Sequence, residues 1–264
     1  MVIDGKKLAE EIKQELKTKA RGKDLRLAVV WVGEDPVSER YVEKKKKFGL
    51  DIGVEVVVYE YSSDILEEDL IEEITRLDSD ENISGIIVQL PLPKEIDEQK
   101  ILNLISPDKD VDALSEEARV LSPTIGAIKE ILDRNNVELS GKKAVVLGKG
   151  KLVGRPAAIW LTQEGAVVSV IDSKTSDPAS ILRQADIIIS GVGRAGLITP
   201  SSIREGVVLI DAGTSEAAGQ LKGDADPACA NKCSLFTPVP GGVGPLTVVM
   251  LFKNLLSLSR SNLK

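Results

Sequence analysis

The sequence predicts an α/β protein built on mainly parallel sheets. Three observations carry this: short β-branched runs alternate with longer amphipathic stretches, the strand–helix order repeats almost throughout, and one strand runs into a helix through a glycine-rich turn. Candidate strands are 27–32, 54–59, 85–89, 144–147, 167–171, 187–190 and 207–211, each a short Val/Ile/Leu-rich run. Between them, apolar residues recur every three to four positions over 6–19, 39–48, 67–78, 98–104, 125–135, 155–164 and 178–184, which predicts helices. The segment 106–123, rich in Asp, Ser and Pro, breaks the rhythm, and the alternation resumes with a new glycine turn after Asn136. A last apolar pattern, 246–258, follows the irregular run 237–245, and we expect a closing helix that returns to the first domain. The predicted division is 1–118 with 246–264, and 119–245 as a doubly wound Rossmann-type domain.

The composition narrows the chemistry. At 264 residues, with 42% apolar and 28% charged, the chain is an ordinary globular one of one or two domains. The net charge of -7 opposes general attraction to nucleic acid or to anionic membranes. With no histidine in the chain, Ser-His-Asp and Cys-His hydrolases and HExxH metalloproteases are excluded, and any acid–base chemistry falls to Lys, Tyr, Asp or Glu. Two cysteines, Cys229 and Cys233, complete neither a disulfide scaffold nor a zinc site, so no metal is expected. The first residues contain no apolar signal core and no apolar run is long enough to span a bilayer, so we expect a cytoplasmic protein.

The run 145–156, Val-Val-Leu-Gly-Lys-Gly-Lys-Leu-Val-Gly-Arg-Pro, reads as strand, glycine turn and helix start. Gly148 and Gly150 let backbone approach a pyrophosphate, and the helix N-terminus supplies free N–H groups and partial positive charge. The spacing is one residue longer than the common G-x-G-x-x-G fingerprint, so an ordinary tight turn is the alternative. Support comes from the next strand end, Asp172-Ser173-Lys174, at the usual ribose position, and from Gly191 and Gly193 after a third strand, where a ring can lie close. Asp172 favours a free 2′-hydroxyl, while Lys149, Ser173 and Lys174 suit a 2′-phosphate.

The helix 38–48 carries four consecutive lysines, mostly a solvated face, but Ser38, Tyr41, Lys45 and Phe48 share one side. Lys45 on a partly buried face beside an aromatic ring is a candidate proton carrier. Lowering such a lysine from ~10.4 to ~7–8 takes about 3–5 kcal/mol of differential desolvation. Gln89 ends an apolar strand before Leu90-Pro91-Leu92-Pro93, where its amide can pair with a planar heterocycle or simply cap the strand. Asp110 and Asp112 lie in what otherwise reads as a surface turn.

These segments, with Ile3-Asp4-Gly5-Lys6 and the run Thr237-Pro-Val-Pro-Gly-Gly-Val-Gly-Pro245, resemble the bifunctional methylenetetrahydrofolate dehydrogenase/methenyltetrahydrofolate cyclohydrolase family over essentially the whole chain. The resemblance implies an N-terminal folate-binding domain completed by the closing helix, a Rossmann domain for NADP, with NAD as the alternative, and a homodimer. Lys45, Tyr41, Gln89 and Asp112 would be catalytic. Ser38, Tyr41, Val88, Gln89, Leu90, Asp112, Pro240, Gly241, Gly242, Val243 and Gly244 would contact tetrahydrofolate substrates. Gly148, Lys149, Gly150, Asp172, Ser173, Lys174, Gly191 and Thr214 would contact the cofactor.

The implied activity is oxidation of 5,10-methylenetetrahydrofolate to the methenyl form, then hydrolysis to 10-formyltetrahydrofolate, in one-carbon metabolism. Hydride transfer needs alignment more than proton transfer, whereas hydrolysis uses a lysine of lowered pKa, which suits a chain without histidine. The chain departs from the family pattern at Lys149 and Gly150, where Arg-Ser is usual, at Asp172, where His is common, and at Ala113, where Gly follows Asp-Val-Asp. A dehydrogenase with weak or absent hydrolysis, and a nucleotide-binding protein without activity, are the competing readings.

Overall fold

The computed structural model describes residues 1–217 and 219–261; residues 262–264, the end of the segment predicted to rejoin the first domain, lie outside the described residues. The chain divides into two compact units, Met1–Ala9 with Thr124–Thr247 and Glu10–Pro123 with Val248–Lys264.

In the second of these units, the helix α1 (Gly5–Ala20), which enters from the first, leads to β1 (Arg26–Val32), α2 (Pro36–Ile52), β2 (Glu55–Tyr61), α3 (Glu67–Ser79), β3 (Gly85–Gln89) and α4 (Glu98–Leu102). The strands form a parallel sheet of order β2-β1-β3. β1 is central and buried on both faces, which is why Leu27 to Val30 read as an unbroken apolar run rather than an alternating one. Ala28, Val30, Ile86 and Val88 pack against Leu70, Ile74 and Leu77 of α3. The acidic first turn of α3 complements its helix dipole, and the Lys109 ammonium donates to the carbonyls of Asp78 and Asp80 at its far end, 2.6 and 2.8 Å away.

The closing helix α8 (Gly244–Ser261) contributes most of its length to this unit. Its Phe252, fully buried, meets the Phe48 ring at 5.0 Å between centroids, and Asn254 donates to the carbonyls of Val111 and Leu121. Gly85 is glycine because a Cβ there would come within 2.6 Å of both Leu255 and Val111.

The other unit holds α5 (Pro123–Arg134), β4 (Lys143–Leu147), α6 (Gly154–Gln163), β5 (Val167–Ile171), α7 (Pro178–Leu182), β6 (Ile187–Ser190), β7 (Val208–Asp211) and β10 (Leu235–Phe236). These strands make a parallel sheet of order β10-β7-β6-β4-β5. The chain enters at β4, goes to one side for β5 and then to the other for β6, so the order reverses at β4, the usual place for a ligand crevice in such sheets.

The seven candidate strands and eight helical patterns all appear, with ends displaced by a few residues; α2 and β2 each run longer than their patterns. The sequence did not foretell the hairpin of β8 (Ser215–Ala217) and β9 (Gln220–Lys222), or β10. Nor did it foretell the N-terminal pairing: Ile3 N–H donates to the Phe236 carbonyl and Phe236 N–H to that of Met1, both at 2.9 Å, extending the β10 edge.

Candidate active site

The start of α2 is set by Asp35, whose carboxylate accepts from the Ser38 N–H at 2.7 Å, with Pro36 in the first turn. This phase buries Ser38 and Lys45 and leaves Tyr41 47% exposed. The Ser38 hydroxyl points at the Leu90 carbonyl, 3.5 Å away. Lys44 rather than Lys45 lies over the Tyr41 ring, 5.1 Å from its centroid, because the exposed side of the helix carries both.

Lys45 is only 7% exposed, and its Nζ donates to Gln89 Oε1 at 2.7 Å. The Gln89 Nε2 donates to the Leu90 carbonyl at 2.9 Å, which turns the amide oxygen toward the lysine. Burial pushes the Lys45 pKa below the ordinary lysine value, and the charge of Asp112 offsets part of this. Asp112 shifts the other way: its carboxyl, shielded although the residue keeps some exposure, is pushed up by burial, eased by Lys45 and raised further by Asp110. The burial of each group thus disfavours its charged form, while the opposite charge of the other favours it. A buried lysine whose pKa is lowered from its ordinary value is better able to take and return protons.

Asp110, 1% exposed, has a different part from Asp112. Its carboxylate accepts from the Ser115 N–H at 2.9 Å and the Ser115 hydroxyl at 2.6 Å, closing the loop that carries Asp112. Ala113, next to Asp112, has φ +53°, the left-handed region. A glycine takes that conformation without strain and an alanine does not, so the familial glycine has a backbone reason and this chain carries the strain beside its site.

In the other unit, the turn after β4 has the form of a phosphate cradle. Gly148 has φ +94°, and its N–H donates to the Ile171 carbonyl at 2.8 Å. A Cβ on Gly154 would lie 2.2 Å from the Gly148 carbonyl oxygen, and one on Gly191 2.5 Å from Val153, so both glycines are needed for close backbone approach. A Cβ on Gly150 would meet nothing within 4 Å, leaving open space over the turn, and α6 begins there with no side-chain cap. A helix N-terminus without a side-chain cap and room above the turn fit a dinucleotide pyrophosphate. Lys149 Nζ donates to Asp172 Oδ2 at 2.6 Å, while Ser173, Lys174 and Thr214 are exposed.

Sequence reasoning passed over two buried carboxylates beside this turn. Asp224, fully buried, accepts from the Ser190 hydroxyl (2.6 Å), the Val192 N–H (2.8 Å) and the Arg194 N–H (2.6 Å), fixing the loop after β6. Asp211, at the end of β7, accepts from the N–H groups of Gly213 (3.0 Å) and Ala225 (2.8 Å). A Cβ on Gly213 would strike the Asp224 carboxylate at 2.1 Å, and one on Gly223 that of Asp211 at 2.2 Å. The signal was available as Asp-x-Gly and Gly-Asp pairs, but each reads locally as a turn. Burial and the Asp224 charge outweigh the N–H donors and raise the Asp211 pKa to about 6.

The Pro/Gly run 238–245 also acquires a physical reason. The Gly5 N–H donates to the Gly241 carbonyl at 2.8 Å, and a Cβ on Gly5 would lie 1.8 Å from the Gly242 carbonyl oxygen. Gly242 in turn folds onto Pro238, its N–H donating to that carbonyl at 2.7 Å, with Gly241 at φ +107° and Val243 buried. Two separate sequence motifs are thus one packed structure. Leu90–Pro91 and Val239–Pro240 are cis.

Comparison with known proteins agrees over the full length. The catalytic-domain model of tetrahydrofolate dehydrogenase/cyclohydrolase matches residues 3–112, and the NAD(P)-binding-domain model residues 105–263. The chain is 41% identical to the "Bifunctional protein FolD" of Staphylococcus aureus, over 97% of this chain and 95% of that one. The structure of the bifunctional FolD enzyme from Campylobacter jejuni superposes with a TM-score of 0.96 at 37% identity, covering 100% of this chain and 99% of the other. That of Trypanosoma brucei, a complex with NADP and inhibitor, gives 0.91 at 34%, covering 100% and 98%. A buried lysine on an amide, a phosphate cradle and both family models over consecutive parts of one chain converge on a single assignment: the chain belongs to the tetrahydrofolate dehydrogenase/cyclohydrolase family.

Proposed function

We propose that the chain oxidises 5,10-methylenetetrahydrofolate to 5,10-methenyltetrahydrofolate with NADP and hydrolyses the product to 10-formyltetrahydrofolate. The observation that carries this reading is the buried Lys45, lowered in pKa and hydrogen-bonded to Gln89. The bound nicotinamide supplies the hydride acceptor. Gly150, with open space over it, and Gly148 and Gly191, which allow close backbone packing, would contact the nucleotide, Lys149, Asp172, Ser173 and Lys174 would stand at its ribose, and Thr214 would line it further on. Tyr41 offers an exposed ring for the folate aromatic system, and Ser38, Val88 and Leu90 of the same unit, with Pro240, Gly241, Gly242, Val243 and Gly244, would supply further substrate contacts. Asp112 receives the pterin edge, its carboxylate accepting hydrogen bonds from it.

In hydrolysis, water adds to the methenyl carbon and uncharged Lys45 accepts the proton released. The lysine then returns that proton to N5 as the carbon–N5 bond breaks, and the hydroxyl proton of the adduct leaves to solvent as the C=O forms, leaving the formyl group on N10. Gln89 holds the lysine in place for both transfers.

Residues 1–118 with 246–264 form the folate-binding domain in this reading, and 119–245 the dinucleotide-binding domain. The protein acts in the cytoplasm as a homodimer. Support for a dimer comes from the edge strand β5, where Val167 is 61% exposed, and from Ile159, half-exposed on α6. The test is methenyltetrahydrofolate hydrolysis, corrected for the buffer rate, by wild-type protein and Lys45→Met. We expect a loss of about 10²–10⁴-fold with nucleotide binding retained; unchanged hydrolysis removes Lys45 from the mechanism.

A further inference from the structure

We propose that Asp172 is a specificity-determining residue that lets this nucleotide site take an unphosphorylated ribose beside a 2′-phosphorylated one, by occupying the cation that would otherwise hold the phosphate. The inference rests on the reading of the β4 turn and the β5 end as the nucleotide site.

β4 and β5 are parallel neighbours with Leu147 in register with Ile171, so the residues that follow them, Lys149 and Asp172, stand side by side at the carboxyl ends of the strands. Both carboxylate oxygens of Asp172 are engaged. Oδ2 accepts from Lys149 Nζ at 2.6 Å, and Oδ1 accepts from the Lys174 N–H at 2.9 Å and the Thr175 hydroxyl at 3.3 Å. The backbone closes the same turn, with the Thr175 N–H donating to the Asp172 carbonyl at 3.1 Å. The carboxylate is thereby pinned, while Lys149, with a side chain 65% exposed, is free to move.

This asymmetry decides the chemistry. A ribose 2′-hydroxyl is a donor and finds a fixed acceptor. A 2′-phosphate carries roughly two negative charges and must draw Lys149 off its partner, then stand beside a carboxylate that cannot retreat. A lysine ammonium is a point charge, without the two-pronged grip by which a guanidinium holds a phosphate, so it compensates less. Lys174, exposed on the same turn, remains as a second cation and keeps the phosphorylated nucleotide from being excluded.

The test is calorimetric titration of the folate-free protein with NAD and, separately, NADP. Wild-type protein is expected to bind both with Kd values within about tenfold of one another. Asp172→Ser should tighten NADP at least ~10-fold and weaken NAD, and adding Lys149→Met should cancel the NADP gain. Asp172→Asn, which keeps the acceptor for Lys174 and Thr175 but removes the charge, should move NADP in the same direction if the serine variant folds poorly. An unchanged NADP-to-NAD ratio in both variants would overturn the inference while leaving the nucleotide site in place. Absence of binding of either nucleotide to wild-type protein would overturn the site itself, and the inference with it.

Discussion

Replacing Asp211 by asparagine should change how stability depends on pH, with a sign fixed by the structure. Asp211 is 1% exposed, and its carboxyl is raised from 3.8 to about 6 by burial and by the Asp224 charge, against the pull of its N–H donors. Between those two values the folded protein holds a proton there that the unfolded chain has released. Stability from this group is therefore complete below the unfolded value of 3.8 and is lost as pH rises through about 6. Some two pH units at about 1.4 kcal/mol each give about 3 kcal/mol, a large part of a typical domain's ~5–15 kcal/mol.

Asparagine cannot ionise. Its oxygen serves one of the two N–H donors, and the lost acceptor costs roughly 1–3 kcal/mol at every pH. Urea unfolding of wild type and variant from pH 4 to 7.5 measures the difference. We expect the variant to be the less stable at pH 4 and to recover about 3 kcal/mol relative to wild type by pH 7.5. A difference that stays flat across this range, or grows with pH, would refute the reasoning.

Three further outcomes are expected. Ala113→Gly relieves a left-handed alanine at φ +53° and should stabilise the protein by about 0.5–1 kcal/mol in thermal unfolding, once the glycine's greater freedom when unfolded is counted. Gly5→Ala drives a Cβ against the Gly242 carbonyl and should destabilise by about 1–3 kcal/mol while raising the folate KM, because the 238–245 run must shift. The hydrolysis rate should rise with pH through a pKa below the ordinary lysine value, and Asp112→Asn should move that rise to lower pH by removing the charge that favours the Lys45 ammonium.

How much of this was legible in the sequence depends on the range of the contacts. Strands β1, β3, β4 and β6 announce themselves because parallel, doubly buried strands need unbroken apolar runs. Lys45 was legible for a similar reason: helical spacing alone separates it from Lys44, Lys46 and Lys47. Spacing also placed Tyr41 on that face, but the helix turns its ring outward beneath Lys44. Periodicity holds no trace of contacts between distant segments. Asp211 and Asp224 meet each other's glycines, Gly223 and Gly213, across 12 and 11 positions of sequence, and Gly5 meets Gly242 across the whole domain, so each looked like a local turn. β8, β9 and β10 are two or three residues long, too short for any alternation to register.

The most direct test of the central claim follows reduced cofactor and methenyl intermediate together by absorbance, with methylenetetrahydrofolate and NADP or NAD in separate cuvettes. The account predicts cofactor reduction with a methenyl signal that rises and then decays faster than in buffer. A methenyl signal that accumulates and decays only at the buffer rate would contradict the hydrolytic half, and no reduction of either cofactor would contradict the whole.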